Sequence, residues 1–158
     1  DLVGELLLSE KIDSFCIDAG GDILYKNAEL SGTLRQTQGK LNAEPRGIKI
    51  GLENPTDSSQ VLGVVNLLNQ SICGSAINRR KWGEFHHIMN PKTLKPVDEI
   101  AAVWVVAETG LVADALSTCL FFVEPEILEK DFQFEYVIVD KEFKVRVSKN
   151  FDGELFYN

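Results

Sequence analysis

The chain has 158 residues, 44% of them hydrophobic, with 16 Lys and Arg against 24 Asp and Glu for a formal net charge of −8. That length and apolar content support one substantial core, or one domain with a small appendage. An acidic chain without a basic cluster is poorly suited to hold a phosphate backbone, which argues against nucleic acid as a partner.

In chain order, residues 1–10 read as a helix with Leu2, Val3, Leu6 and Leu7 on one face. The chain opens inside this helix, on Asp1 rather than Met, and so reads as the C-terminal part of a longer polypeptide or a trimmed form of it. No basic start followed by an apolar stretch marks a signal peptide. Ser14 to Ile17 reads as a strand, broken by Gly20-Gly21 and continued by a second strand from Ile23 to Tyr25. Asn27 to Gly47 has little apolar periodicity and four turn-forming residues, Gly32, Gly39, Pro45 and Gly47, so it reads as a long loop or variable hairpin.

Ile48 to Leu52 and Val61 to Leu68 read as strands around the turn at Asn54-Pro-Thr-Asp-Ser. Ser71 to Lys95 reads as loop-rich. Ile100 to Ala107 is a β-branched-rich strand, and as the longest apolar run it is far too short to cross a bilayer. A helix follows from Leu111 to Val123, ended by Pro125, with a short helical turn at Glu126 to Lys130. Tyr136 to Asp140, Phe143 to Ser148 and Glu154 to Tyr157 close the chain as strands. The class is α+β, with strands outnumbering helices.

The helix from Leu111 is almost wholly apolar, which suits burial on all sides. Its exceptions, Asp114, Ser117 and Thr118, stand at i, i+3 and i+4 and share one narrow stripe. A buried lone carboxylate is costly, so the stripe calls for something opposite it. Three closely spaced oxygen donors suit a hard cation such as Mg2+. An ordinary amphipathic helix, with its stripe facing water or a neighbouring backbone, fits the same spacing.

Other residues carry weaker signals. Gly20-Gly21 after a strand permits either a tight turn or a close backbone approach to a ligand. His86 and His87, adjacent on an extended chain, point in different directions and do not form a chelating pair. Arg79 and Arg80 could meet phosphate or simply be solvated, and Trp82 and Trp104 read as packing residues. Cys16 and Cys119 lie in apolar runs and read as buried free thiols, while Cys73 falls in a loop-like stretch and reads as accessible. An odd cysteine count without metal-type pairing argues against an extensively disulfide-bonded fold. No CxxC pair, P-loop or Ser-His-Asp order supports a nucleotide kinase or covalent hydrolase.

Four motifs occur in order: Asp18-Ala-Gly-Gly-Asp-Ile23, Ser71-Ile-Cys-Gly-Ser75, His87-Ile-Met-Asn-Pro-Lys-Thr93 and Ala113-Asp-Ala-Leu-Ser-Thr118. Together they resemble the FAD:protein FMN transferases, the ApbE-type flavin transferases, from Asp1 to about Val123. Order and spacing carry the resemblance. The first and last motifs match well and the middle two are altered. Where that family has Asp-Pro and then Thr-Gly, this chain has Asn90-Pro91 and Thr93-Leu94. Where the family has Thr-Ser-Gly-Asp, this chain has Gly74, Ser75, Ala76 and Ile77, keeping only the serine.

The resemblance implies an α+β fold of antiparallel or mixed sheet with a few packed helices. This is a T-fold-like core without the family's N-terminal segment, and it occupies residues 1–158 as one domain. It implies FAD as flavin donor and Mg2+ as metal, with FMN passed to a Thr or Ser hydroxyl of an acceptor protein and AMP released. Asp114, Ser117 and Thr118 become the expected metal ligands, His87 the polar group near the reacting phosphate, and Ile88 a cofactor contact. Asp18 and Asp22 both fall beside the flavin site as supporting residues, with Asp22 the cofactor-binding candidate. The family's setting would be the cell envelope, as a membrane-anchored lipoprotein, or the cytoplasm. An Mg2+-dependent FAD pyrophosphatase and a non-catalytic flavin-binding remnant are the alternatives.

Overall fold

A computed structural model describes residues 1–28, 47–83 and 85–156. Helix α1 (Leu2–Ser9) leads into the hairpin of β1 (Ser14–Asp18) and β2 (Ile23–Asn27). The segment expected as a long loop falls almost entirely on 29–46, outside the described residues. Strands β3 (Ile48–Glu53) and β4 (Val61–Leu67) form a second hairpin, and β5 (Ser71–Ala76) follows. Two small hairpins pair β6 (Lys81–Trp82) with β7 (Phe85–His86) and β8 (Met89–Asn90) with β9 (Lys95–Pro96). Strand β10 (Ile100–Ala107) precedes helix α2 (Gly110–Cys119) and the short α3 (Pro125–Leu128). The chain closes with β11 (Phe134–Asp140), β12 (Val145–Val147) and β13 (Gly153–Leu155).

The main sheet runs β1-β2-β5-β10-β11-β12, with every ladder antiparallel. A smaller sheet, β13-β4-β3, lies across one of its faces, and α2 across the other. This layering explains why β10 is apolar at nearly every position instead of alternating. Val103, Val105 and Ala107 pack with Ala113, Leu116 and Leu120 on the helix side, together with Phe134, Tyr136 and Ile138 of β11 and its entry. Val106 faces the other way with Val137 and Val139, onto Leu52, Val65 and Leu67 of the small sheet.

Several sequence expectations are corrected. The apolar face expected to bury α1 is turned to solvent, with Leu2 81% and Leu6 59% exposed. The helix rests instead on Gly4, where an added Cβ would come 2.7 Å from Leu24 Cδ2; the missing side chain selects the contact face. Ser71–Ala76 is a central strand rather than loop, because it fills the place between β2 and β10. Consequently Cys73 is buried in the helix-side core, not accessible, and Cys16 on the outermost strand β1 is exposed, not buried. Cys119 is half-buried.

Helix α2 ends at Cys119, four residues short of the expected Val123, in a turn closed by Phe122 and Val123 amides on the Cys119 carbonyl. Leu111 stands exposed, so the helix is buried on one side only. Trp82 is 60% exposed on a two-residue strand and packs no core.

Candidate active site

Strand β2 leaves β5 early, and that departure creates the site. Their ladder contains only Ile23↔Ile72 and Leu24↔Ser71, whereas β10 follows β5 from Ser71 to Ala76. Beyond Ile72 the other side of β5 borders a cleft of about 620 Å³, walled by the β1–β2 turn, β3 and α2.

The β1–β2 turn presents Asp22. Gly20 and Gly21 take φ of 80° and 106°, a region L side chains rarely adopt, which is why glycines stand there. Asp18 Oδ1 accepts a 2.8 Å hydrogen bond from the Gly21 amide, and the Ala19 amide donates to the Asp22 carbonyl at 2.9 Å. Asp18 thus holds the turn, and Asp22 reaches the cleft wall.

Helix α2 divides its polar stripe. Asp114 and Thr118, one turn apart, are exposed and line the cleft. The Asp114 carboxylate is therefore solvated and not buried as the apolar pattern suggested. Ser117 is fully buried and turned toward β5: its hydroxyl donates to the Asp114 carbonyl at 2.9 Å and lies 2.8 Å from Ser75 Oγ. Ser75 Oγ also lies 3.3 Å from Thr118 Oγ1. Beneath them, burial pushes the Cys73 thiol far up from its ordinary range, reinforced by the negative charge of Asp22 and Asp114.

On the adjoining wall stand Arg79, Arg80 and His87. Arg79 pairs with Glu53 of β3 at 2.8 Å, which ties the loop after β5 to the small sheet. Partial desolvation, followed by the charge of Arg80, lowers the His87 imidazole below its usual range, so it is neutral near pH 7. The two histidines do diverge. His86 is buried; its Nδ1 accepts from the Ile88 amide at 3.3 Å, so Nε2 carries the proton and donates to the Val97 carbonyl at 2.7 Å.

The structure thus brings Asp22, His87, Asp114 and Thr118 to one cleft. It does not bring Ser117 or Ile88 there. Ile88 is 4% exposed, inside the helix-side core. Asn90 lies elsewhere too, in the β8–β9 hairpin beside a larger cleft of about 1100 Å³ bordered by Phe85, Met89 and Phe122. Its Oδ1 accepts from the amides of Lys92 and Thr93 at 2.9 and 3.3 Å, so Asn90 shapes its own turn. Leu94 closes that turn at φ 56°, keeping the conformation despite its side chain. Ile77, the other altered position, packs on the helix-side core with its amide bonded to the Ala101 carbonyl at 3.0 Å.

The sequence names Gly74 without showing its packing role: the missing Cβ leaves room for the Trp104 indole, 2.8 Å from where that atom would stand. Sequence reasoning overlooked Glu53, which is 26 residues from its partner Arg79 and carries no local signal.

Carboxylates, hydroxyls, a neutral imidazole and guanidinium groups converging on an open cleft have the chemistry of a site for a phosphorylated ligand. The fold around it is an antiparallel α+β domain. The chain belongs to the ApbE family, whose model matches residues 1–136. It is 29% identical over 164 residues to the FAD:protein FMN transferase of Haemophilus influenzae, covering 96% of this chain and 44% of that protein. Among solved structures it is similar to the ApbE protein of Thermotoga maritima, with a TM-score of 0.73 at 22% identity over 94% of this chain and 47% of that one. It is also similar to the flavin transferase ApbE of Vibrio cholerae, with a TM-score of 0.70 at 23% identity and the same two coverages. The chain spans about half the length of these relatives. Among the described residues no helix is long and apolar enough to cross a membrane.

Proposed function

We propose that this chain carries the metal and phosphate half of an Mg2+-dependent FMN transferase. It passes the FMN of FAD to a Thr or Ser hydroxyl of an acceptor protein and releases AMP. The observation that carries the reading is the meeting of Asp114 and Thr118 with Asp22, His87 and Arg80 in one cleft of a family member.

The donor set fits Mg2+. Among the described residues no three His, Cys, Asp or Glu side chains are grouped to enclose a metal. Mg2+ seldom needs such a cage; one or two carboxylates with waters and substrate phosphates suffice. Asp114 supplies the anionic oxygen and Thr118 a hydroxyl oxygen one turn on, both open to the cleft. When bound, the cation supplies charge neutralisation on the pyrophosphate of FAD.

The chain's own groups do the rest. Arg80 offers guanidinium N–H donors to phosphate oxygens, while Arg79 is held by Glu53. The acceptor hydroxyl oxygen bonds to the phosphorus on the FMN side, and the bridging P–O bond breaks with its electron pair leaving on AMP. His87, neutral at pH 7, accepts the hydroxyl proton.

Incubation with FAD, MgCl2 and a Thr-containing acceptor protein tests the reading by product. Acceptor mass increased by one FMN moiety, with AMP released, is the expected result. Free FMN with AMP would make water the acceptor and the protein a pyrophosphatase. Unreacted FAD would leave a flavin-binding remnant.

A further inference from the structure

We propose that Ser75 is a positioning residue that orients the Thr118 hydroxyl, turning its proton inward so that its lone pairs face the cleft. The inference rests on the Asp114–Thr118 metal reading above and assigns the direction of each proton in the cluster behind it.

The assignment follows from counting protons. Each hydroxyl has one hydrogen to donate and two lone pairs. The Asp114 carbonyl can only accept, so the 2.9 Å contact uses the single proton of Ser117. Ser117 must then accept across its 2.8 Å contact with Ser75, which uses the proton of Ser75. At the 3.3 Å contact Ser75 has only lone pairs left, so Thr118 donates. The chain runs Thr118 to Ser75 to Ser117 to the Asp114 carbonyl, and a buried end fixes its polarity, since Ser117 is fully buried.

A cation needs lone pairs, not a proton, directed at it. Without Ser75 the Thr118 hydroxyl rotates freely and points its hydrogen into the cleft part of the time. Groups behind a ligand commonly set affinity in this way. Ser75 also borders the cleft, and in this scheme it acts on the cation through Thr118 and not as a ligand. It acts from β5, the strand that also carries Cys73 on the same face.

Mn2+ serves as the probe, titrated into the full chain and followed by the loss of its free-ion electron paramagnetic resonance signal. Ser75→Ala is expected to weaken Mn2+ binding about tenfold. Ser75→Thr, which keeps the hydroxyl, should bind close to wild type. Thr118→Val should weaken binding as well, and the double variant should bind no more weakly than Thr118→Val alone, because Ser75 acts through Thr118. Unchanged affinity in Ser75→Ala, or fully additive losses in the double variant, would overturn the inference while leaving the metal reading intact.

Asp114→Ala separates the two ideas. If wild type binds no Mn2+, or Asp114→Ala binds it as well as wild type, the metal reading itself fails and the inference with it. Thermal melting checks that each variant is folded. Should Ser75→Ala not fold, Ser75→Cys, similar in size with a weak donor, carries the same expectations.

Discussion

The carboxylate of Asp1 caps helix α2 at Leu111, 110 residues away: its Oδ2 accepts from the Leu111 amide and its Oδ1 from the Gly110 amide, both at 2.8 Å. The Asp1 carbonyl meanwhile accepts from Glu5 at 3.0 Å and starts α1. One residue therefore begins one helix and caps another, the one that carries Asp114 and Thr118. Two of the first amides of α2, which have no partner inside the helix, are satisfied by a negative group at the positive end of its dipole. Thr109 covers a third, accepting from Val112 at 3.3 Å.

Asp1→Ala should therefore cost about 1 kcal/mol, the usual worth of a helix cap. Asp1→Asn, with one acceptor oxygen instead of two, should fall between the two. Urea unfolding at low and high salt measures both, and the wild-type advantage should shrink with salt as the dipole contribution is screened.

Leu94→Gly should stabilise the protein by about 1 kcal/mol. A left-handed conformation costs an L residue on that scale. Leu94 holds φ at 56° while the residue is 78% exposed, so little packing is lost. Denaturant midpoints decide it; an unchanged or lower midpoint would show that the leucine makes a contact worth the strain.

The three thiols should differ sharply toward a water-soluble disulfide reagent. Cys16, exposed on the outer strand, should react first and Cys119 more slowly. Cys73 should react only on unfolding, since it is buried and its thiolate is disfavoured by burial and by Asp22 and Asp114. Mass spectrometry of timed native samples reads the order.

The His87 imidazole should titrate below the ordinary histidine midpoint of 6.5. Its charged form is disfavoured first by partial desolvation and then by Arg80. A group depressed in this way is neutral above its midpoint, so any rate depending on His87 as base should rise with pH and level off before neutrality. Arg80→Ala should move the midpoint and that rise upward. Proton NMR of the imidazole checks the midpoint; an unshifted value in Arg80→Ala would remove Arg80 as a cause.

Much of the architecture was legible in local pattern. The β-branched run at Ile100–Ala107 and the glycine turn at Gly20-Gly21 each depend on near neighbours, through chain stiffness or a φ only glycine takes readily. The motif order likewise marked the ApbE family, and Asp22, His87, Asp114 and Thr118 do meet in one cleft.

What tertiary structure alone decided is where each face points. Ser117 and Thr118 are adjacent, yet stand about 100° apart around a helix. The strand beneath α2 splits their stripe, sending Ser117 to Ser75 and Thr118 to the cleft. A heptad or alternation pattern records a period, not which neighbour will cover it. The same limit hid the burial of Cys73, the open face of α1 and the cap from Asp1, since each depends on a partner brought in by folding and not by adjacency in the chain.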